Sequence, residues 1–372
     1  MLFLSVTGFR LFRTTIPSWE MAMTRVVAIV LWLFVGSPLL AQERVPAQQP
    51  APSEIPRIPF QSVSLLKTTP PLYLGEVASV AVDSKGNVYV ANRGAHPLVE
   101  FDKEGNFMRE IGEGDLNLPD TNNLSHAVRI DSDDNIWFVD AGATLVTKYD
   151  QSGRVLLNVG RRKAPPEYTS RKTDAGETSR TDRAERNPTD KLETFDRPTD
   201  VAFGANGDFF VTDGYGSMRI MKFHKNGNWV KTWGKPGTGP GEFEVPHTLA
   251  VDAKGLLYVA DRESKRIQIF DQDGNYLREW NHIGGGTGAY PWSLCFTDGP
   301  NQVAYFSDGY KGHVWKLDLN GKVLGVLGEF GRGIGQFNHA HAIACGNGPE
   351  NVIYVGETRT RRVQKITVGG GH

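Results

Sequence analysis

Short runs of β-branched and aromatic residues alternate along the chain with turns rich in Gly, Asn and Asp. Two stretches between Phe195 and Trp280 share one order of runs and turns: FDRPTDVAFGANGDFFVTDGYGSMRIMKFHKNGNWVKTWG and FEVPHTLAVDAKGLLYVADRESKRIQIFDQDGNYLREW. Apolar runs of this kind between turn residues favour β-strands joined by hairpins. Each stretch therefore predicts four short antiparallel strands.

Units of the same design recur with a period of about 45 residues, a spacing typical of repeat architectures. Six can be aligned, and their first strands contain VASVAVD, SHAVRID, RPTDVAF, VPHTLAV, YPWSLCF and NHAHAIA. Six four-stranded units predict an all-β fold, a six-bladed β-propeller around a central channel. An open solenoid of hairpins is the less favoured alternative, because it would leave two sheet edges unpaired.

The sixth unit lacks an outermost strand, since only TVGGGH follows its third run, RVQKI. Residues 60–68, FQSVSLLKT, have the composition of a strand and belong to no unit. An unpaired edge strand promotes aggregation, whereas pairing with this N-terminal strand would close the ring. We therefore predict that the last blade is completed by the start of the globular part.

The N-terminal residues 1–41 are typical of a secretory signal peptide, with Met21 or Met23 as the alternative start. A basic residue precedes an apolar run over 26–35, and small residues follow near Ala41. A membrane anchor is the alternative, but the apolar run is short and ends at helix-breaking residues. We expect a secreted or periplasmic protein with no membrane association once the signal is removed.

Two further segments have compositions that do not support a packed core. Residues 42–59 are rich in Pro, Ala and Gln and predict an extended linker, so the propeller should occupy 60–368. The polar insert 161–194, between the second and third units, predicts a solvated, protease-sensitive loop, with a lid as the alternative.

Overall charge and cysteine content narrow the function further. The net charge of −1, with basic runs confined to the insert, argues against nucleic acid as a partner. A small-molecule or peptide substrate and a monomeric state are expected instead. The two cysteines, Cys295 and Cys345, fall on the first strands of the fifth and sixth units. We expect two buried free thiols, although export would permit a disulfide.

A histidine register appears when the six units are aligned on the turn that follows the first strand. The residues five places before that turn are, in order, Ala78, His126, Thr199, His247, Trp292 and His341. Histidine thus occupies every second blade, so three imidazoles at one height would converge on the channel axis. Three histidines with room for water or substrate are the usual ligands of an open catalytic zinc site. A lone histidine would more simply be structural, but three of nine at one register are hard to assign to chance.

A second set of residues follows the end of the second strand, on the same face as the histidines: Arg93, Tyr215, Arg262 and Tyr310. For Tyr310 we favour a structural role at the surface. Two guanidiniums can hold a carboxylate through charge-assisted hydrogen bonds, and a phenol beside a cation is suited to accept a proton. We therefore expect Tyr215, Arg93 and Arg262 to act in catalysis, and the two arginines also to bind substrate.

The motifs around these positions resemble a known family. The units are similar to NHL repeats, and ANRGAH, SHAVRID, RPTDVAF, TDGYGSMRI, VPHTLAV and ADRESKRIQ resemble the peptidyl-α-hydroxyglycine α-amidating lyases across all six units. The resemblance implies a propeller whose channel holds zinc on His126, His247 and His341. It implies Tyr215 as the catalytic tyrosine, which takes the proton of the substrate's hydroxyl.

The resemblance also implies that Arg93 and Arg262 bind the substrate carboxylate and that the enzyme cleaves the N–Cα bond of a C-terminal hydroxyglycine, releasing a peptide amide and glyoxylate. One departure concerns a structural calcium, which the family holds with an aspartate and two backbone carbonyls, here those of Val80 and Val128. Ala342 replaces that aspartate, so calcium is not expected. We expect no copper monooxygenase domain, so the hydroxylated substrate would come from another protein or be a related carbinolamide or hydroxy acid.

Two other functions remain open at this point. Many NHL proteins are scaffolds, so a non-catalytic propeller that binds a protein or glycan on its channel face is the main alternative. A propeller hydrolase acting on lactones is the other, but such enzymes usually bind their metal through carboxylates, and the register offers imidazoles. Metal content and sensitivity to chelators would separate the enzyme from the scaffold.

Overall fold

The computed structural model describes residues 54–68, 72–112, 116, 124–160, 194–346 and 351–369. Within these ranges the regular structure consists of β-strands, arranged as six four-stranded sheets and one two-stranded sheet. The strands of each four-stranded sheet are antiparallel. The predicted all-β, six-bladed propeller is therefore confirmed. No helix long and apolar enough to cross a membrane occurs in the described ranges.

The first strand of the chain is β1 (Phe60–Ser64), and the blades follow it. The first blade contains, from the channel outwards, β2 (Glu76–Val82), β3 (Val88–Arg93), β4 (Leu98–Phe101) and β5 (Phe107–Glu110). The second contains β6 (Ser125–Ile130), β7 (Ile136–Asp140), β8 (Leu145–Tyr149) and β9 (Val155–Gly160). The third contains β10 (Asp200–Phe203), β11 (Phe209–Asp213), β12 (Arg219–Phe223) and β13 (Trp229–Trp233).

The fourth blade contains β14 (Pro246–Val251), β15 (Leu257–Asp261), β16 (Arg266–Phe270) and β17 (Tyr276–Trp280). The fifth contains β18 (Pro291–Phe296), β19 (Ala304–Asp308), β20 (His313–Leu317) and β21 (Val323–Leu327). A short parallel pair follows, β22 (Glu329–Phe330) and β23 (Gln336–Phe337). The sixth blade contains β24 (Ala340–Cys345), β25 (Val352–Glu357), β26 (Arg362–Val368) and, outermost, β1.

The ring closes through both its inner and outer strands. The inner strands of neighbouring blades contact one another, and β2 of the first blade contacts β24 of the sixth. At the outer edge, β1 pairs antiparallel with β26 from Phe60↔Val368 to Ser64↔Gln364. The predicted completion of the last blade by the N-terminal strand is confirmed.

Ordered contacts begin before the predicted boundary at Phe60. The backbone amide of Ile58 donates to the carbonyl of Val326, and the amide of Val326 donates to the carbonyl of Pro56, each over 2.9 Å. Arg57 adds a hydrogen bond from Nη1 to the carbonyl of Gly328 over 2.8 Å. The end of the predicted linker thus lies along β21 before β1 joins the sixth blade. The predicted signal peptide, the rest of the linker and residues 161–193 of the insert lie outside the described residues.

The turn after each first strand explains the recurring aspartate of the repeat. Asp83 Oδ1 accepts hydrogen bonds from the backbone amides of Lys85 and Asn87 over 2.9 and 2.8 Å. Gly86 has a φ of 88°, a conformation that glycine adopts without steric cost. The same pair of amide bonds is made by Asp131 and Asp252 in the second and fourth blades. These turns hold the first hairpin of those three blades in register.

The hydrophobic core is divided among the seams between blades. Val80 and Val90 of the first blade pack in one cluster with Tyr354 of the sixth. Between the second and third blades, Trp137 packs against Phe209, with ring centroids 4.7 Å apart. Burial of each such side chain contributes roughly 1.5–3 kcal/mol. Every blade therefore depends on its neighbours for its core.

The expectation of free thiols was wrong, because a disulfide joins Cys295 to Cys345. The two residues lie on β18 and β24, inner strands of neighbouring blades that contact each other. Their Cα atoms are 5.6 Å apart, within the range that a disulfide spans. Both side chains are half-buried rather than fully buried. The sequence could not predict the pairing because it depends on the spacing between two blades.

Deleting β1, residues 60–64, should lower the melting temperature by at least about 5 °C or prevent folding. The reason is that β26 would lose its only outer partner and expose a row of unpaired backbone groups. Thermal unfolding followed by circular dichroism would measure the effect. A chain that starts at Glu54 is the control and should melt as the full chain does; a β1 deletion that also melts normally would contradict the closure.

Candidate active site

The side chains of the histidine register reach the channel because most of them lie in β-bulges. The strand pairing shifts register across five of the six positions, namely Ala78, His126, His247, Trp292 and His341. The sixth, Thr199, immediately precedes β10 and donates its amide to the carbonyl of Thr212 over 2.7 Å. A bulge leaves one residue unpaired and turns its side chain to a new direction. The direction of these side chains is therefore not set by the alternation of the two faces along an ordinary strand.

Each histidine of the register is oriented by the backbone of the following blade. Its Nδ1 donates to the carbonyl of the register residue there: His126 to Thr199 over 2.5 Å, His247 to Trp292 over 2.6 Å, and His341 to Ala78 over 2.7 Å. A carbonyl can only accept, so each Nδ1 carries the proton. All three Nε2 atoms therefore present lone pairs to the channel.

The three imidazoles meet at the channel axis, as the sequence predicts. Their possible ligand atoms lie within 4.8 Å of one another, and the ring centroids are 4.7–5.1 Å apart. All three side chains are buried. Burial, followed by the charge of nearby arginines, lowers the pKa of each imidazole well below 6.5. The rings are neutral at physiological pH and suited to bind a metal.

The chemistry of this donor set fits a divalent metal ion. Three neutral imidazoles with inward lone pairs offer three nitrogen ligands to one cation. Zn²⁺ commonly binds three protein nitrogens and keeps a further position open. The buried carbonyl bonds to Nδ1 are the outer contacts that fix ligand orientation at such sites. His126, His247 and His341 could therefore hold zinc or a similar ion.

Tyr215 lies directly against this triad. Its Oη is 2.8 Å from His126 Nε2 and 3.0 Å from His247 Nε2. A phenol has one proton, so it can donate to only one of these two acceptors at a time. The backbone of Tyr215 is held by Arg197, whose Nη2 donates to the Tyr215 carbonyl over 2.8 Å. Arg197 has a φ of 68°, which the sequence did not reveal.

The two predicted arginines stand on opposite blades of the ring. Arg262, in the fourth blade, donates from Nε to Glu263 over 2.9 Å, and its Cζ lies 4.9 Å from the Trp292 ring centroid and 5.8 Å from that of Tyr215. Arg93, in the first blade, donates to Glu76 over 3.1 Å. The structure thus brings both cations to the channel mouth but from different sides.

The two guanidiniums lower the pKa of different histidines of the triad most strongly. After burial, Arg93 is the strongest cause of the lowered pKa of His126 and of His341. For His247, the strongest cause after burial is Arg262. The two guanidiniums therefore both oppose protonation of the triad, Arg93 most strongly at His126 and His341 and Arg262 most strongly at His247.

Tyr310 lies at the edge of the site. Its ring packs edge-on against Trp292 and Tyr290, with centroids 5.0 and 4.8 Å apart, and 42% of the residue is exposed. These contacts are made by the ring and support a structural role. The sequence did not single out Trp292 for function, although its place in the histidine register was visible.

A buried ion pair lies in the channel beside the histidines. Arg129 donates from Nε and Nη2 to the two carboxylate oxygens of Asp200 over 2.9 and 2.6 Å, and from Nη2 to Thr248 Oγ1 over 3.0 Å. This part of the channel also contains the buried Ala342, the site of the predicted departure from the calcium ligands. The Asp200 carboxylate compensates the charge of the guanidinium there. The sequence did not reveal this pair, because its partners come from different blades.

Comparison with known proteins agrees with the fold and gives partial relatives. A family described as a six-bladed beta-propeller matches residues 195–311. Peptidyl-glycine alpha-amidating monooxygenase B of Xenopus laevis is 29% identical over 52% of this chain and 22% of its own length. A probable peptidyl-alpha-hydroxyglycine alpha-amidating lyase of Caenorhabditis elegans is 42% identical over 19% of this chain and 21% of its own. Human NHL repeat-containing protein 3 is 34% identical over the same fractions.

These matches span about a fifth of the length of the curated relatives. Among solved structures, a gluconolactonase from Xanthomonas campestris superimposes with a TM-score of 0.56, at 14% identity over 86% of this chain and 97% of its own. At that identity the likeness concerns the fold alone. The chain is therefore a six-bladed propeller with homologues named as amidating lyases and as NHL repeat proteins.

Replacing His126, His247 or His341 with Ala should each remove most of the bound zinc, because an open site loses one of three protein ligands. Metal analysis of protein purified with added zinc would measure this. His339→Ala is the control, because His339 lies near the site but outside the triad. Zinc retention by all three triad variants would contradict the metal site.

Proposed function

We propose that the protein is an exported, metal-dependent lyase that cleaves the N–Cα bond of a peptidyl-α-hydroxyglycine or a closely related carbinolamide, giving an amide and glyoxylate. The observation that carries the proposal is the position of the Tyr215 hydroxyl, within hydrogen-bond distance of two imidazoles of a possible metal tripod. The lyase names of partial relatives support the same reaction class.

The reaction requires removal of one proton and delivery of one proton. The substrate's hydroxyl proton passes to Tyr215, acting as the phenolate, while the carbon–oxygen double bond of glyoxylate forms and the N–Cα bond breaks. The Tyr215 phenol then returns that proton to the leaving amide nitrogen, so the phenolate is restored and no oxidant or reductant is consumed. A metal bound by the three histidines would supply a Lewis acid for the substrate's oxygens.

Positive charge near the histidine triad suits a substrate that ends in a carboxylate. Arg93 and Arg262 are both largely buried, with side-chain exposures of 19% and 14%. Each already pairs with a glutamate, which orients the guanidinium and leaves further N–H groups for an anion. Charge-assisted hydrogen bonds in such a partly dehydrated site are stronger than those in water.

The disulfide supports the proposed export. Such bonds persist in oxidising compartments and are rare in the reducing cytosol. Cys295–Cys345 joins two blades across their inner strands, where it can stabilise the ring outside the cell. A secreted or periplasmic location would also place the protein where extracellular peptides are found.

The wild-type protein loaded with zinc should release glyoxylate from a peptidyl-α-hydroxyglycine, and a chelator should abolish the release. Glyoxylate can be measured by coupling to a dehydrogenase. The His247→Ala variant, with its fold checked by circular dichroism, provides the matched background because it lacks one metal ligand. If zinc-loaded protein releases no glyoxylate above that background, the lyase assignment fails, and a scaffold that binds a partner on this face becomes the better hypothesis.

Tyr215→Phe should keep its metal but lose turnover. It removes only the hydroxyl, so zinc content should match wild type while kcat falls about 100-fold or more, the usual contribution of a positioned acid–base group. Tyr310→Phe is the control, because it removes a phenol at the edge of the same site. Equal kcat for wild type and Tyr215→Phe would exclude the proposed proton acceptor.

Arg93→Ala and Arg262→Ala should each keep zinc and weaken substrate capture. Loss of one charge-assisted hydrogen bond costs about 1.5–3 kcal/mol, equivalent to about a 10- to 150-fold fall in kcat/KM. The comparison substrate is the same compound with its carboxylate converted to an amide. If kcat/KM of both arginine variants falls by the same factor for the charged and the uncharged substrate, neither arginine binds the carboxylate.

A further inference from the structure

The segments that connect one blade to the next lie on the face of the candidate site, and a buried arginine holds the one that leads into the fourth blade. Arg266 donates from Nε to Asp261 over 3.3 Å, and its two Nη atoms donate to three carbonyls between residues 238 and 242 over 2.6–3.1 Å. The planar guanidinium can satisfy several backbone acceptors at once. This glycine-rich segment is therefore fixed by the blade that follows it.

The sixth blade repeats the arrangement. Arg362 donates from Nε to Glu357 over 2.7 Å, and its Nη atoms donate to three carbonyls between residues 332 and 336 over 2.8–3.0 Å. In both blades the arginine and the carboxylate pair in register at the end of the second strand and the start of the third. The repeat thus builds the same support twice.

A long polar side chain closes each of these two segments from within. Glu242 accepts the amide of Gly239 over 2.9 Å, and Gln336 accepts the amide of Gly333 over 3.0 Å. Each bond spans three residues and holds the turn of the segment in one conformation. Opening either segment would therefore break this bond as well as the bonds to the arginine.

The fifth blade has neither support for its connecting segment, residues 281–290. Asp308 pairs in register with His313, which stands where the fourth and sixth blades have an arginine. Asp308 Oδ1 accepts the amide of Lys311 over 3.2 Å, but Asp308 Oδ2 and His313 Nδ1 are buried without a hydrogen-bond partner among the described residues. The segment also contains no Glu or Gln that could close it from within.

The middle of this segment, residues 284–288, is here called the flap. Its neighbours Ile283 and Ala289 are each 1% exposed and pack in the core between the fourth and fifth blades. Four of the five flap residues are glycines with φ between 56° and 79°, and glycine has the greatest backbone freedom to regain on opening. Lys311 donates from Nζ to one flap carbonyl over 2.6 Å. Local opening of the flap therefore breaks fewer bonds than opening of the matching segments in the fourth and sixth blades.

The flap borders a cavity of about 470 Å³ on the face of the candidate site. Residues 286–288 of the flap line it together with residues 263–265 of the fourth blade. Its volume is within the range of pockets that bind small ligands. Glu263 also accepts the Nε–H of Arg262 over 2.9 Å, so the cavity and the candidate site share a side chain.

We propose that this cavity is a subsite for the peptide chain of the substrate and that the flap closes over that chain. The inference rests on the proposed function for the nature of the substrate. With the hydroxyglycine carboxylate at Arg262, the chain attached to its nitrogen runs past Glu263 into the cavity. The hydroxyl and amide groups of Thr238, Ser264 and Asn281 in the lining suit the polar backbone of a peptide. A flap that moves accommodates side chains of different size.

Hydrogen–deuterium exchange of the full-length protein tests the flap, with segments 238–242 and 332–336 as matched references. The flap should exchange at least about tenfold faster than either reference. His313→Arg restores the missing arginine and should slow flap exchange at least about tenfold, whereas the control Arg266→His should speed exchange in 238–242. Equal exchange of the three segments in the wild-type protein would overturn the flap, and this comparison needs no variant to fold.

A peptide ligand and two substrates test the subsite. Tetra-alanine amide, an unreactive product analogue, should slow flap exchange at saturating concentration and leave segment 332–336 unchanged; unchanged flap exchange would overturn the subsite. In the wild-type protein, kcat/KM should be at least about tenfold higher for tetra-alanyl-α-hydroxyglycine than for N-acetyl-α-hydroxyglycine. His313→Arg should lower kcat/KM for the longer substrate and leave that for the shorter one unchanged.

Equal kcat/KM of the wild-type protein for the two substrates would also overturn the subsite. Release of glyoxylate from neither substrate would refute the proposed reaction, while the exchange measurements would still decide whether the flap moves and whether a peptide binds beneath it.

Discussion

The hydrogen bond from each histidine Nδ1 to a carbonyl of the next blade is the interaction on which the candidate site depends. It fixes the tautomer, aims Nε2 at the axis and ties the direction of each ring to the angular position of a second blade. Three such bonds join all six blades in pairs around the channel. The geometry of the triad is therefore a property of the closed ring, and it cannot be assembled by any blade alone.

Because the triad depends on the closed ring, the contacts that hold the sixth blade to its neighbours also matter for the site. The bond from His341 to Ala78 crosses the junction between the sixth and first blades, where the first and last blades of the ring meet. There, β1 completes the outer edge, and Pro56 to Ile58 lie along β21 of the fifth blade. The Cys295–Cys345 disulfide joins the fifth and sixth blades at their inner strands. If the junction between the sixth and first blades loosened, one of the three possible metal ligands would be misplaced.

The channel also shows how charge is managed in a buried site. The histidines are neutral because burial and two arginines oppose their protonation. Arg129, in contrast, is paired in bidentate fashion with the buried Asp200, so its charge is compensated. An uncompensated buried charge would cost several kcal/mol, whereas a paired one keeps the channel polar at little net cost. Arg93 and Arg262, at the mouth, are also paired, with Glu76 and Glu263, but each of these bonds leaves further N–H groups of the guanidinium for a ligand.

The sequence by itself determined the number of blades, the closure by β1 and the alternation of histidines, because a repeat places equivalent residues at equivalent heights. For the same reason it placed Tyr215, Arg93 and Arg262 on the face that carries the triad. It could not determine the Cys295–Cys345 bond or the Arg129–Asp200 pair, because these depend on distances between blades that no period encodes. The bulges were equally hidden, since one unpaired residue does not alter the pattern of apolar runs. Only the tertiary structure decided that the Tyr215 hydroxyl lies against His126 and His247 and that the Trp292 ring packs against His247 and His341, because these contacts are set by the packing of side chains from several blades.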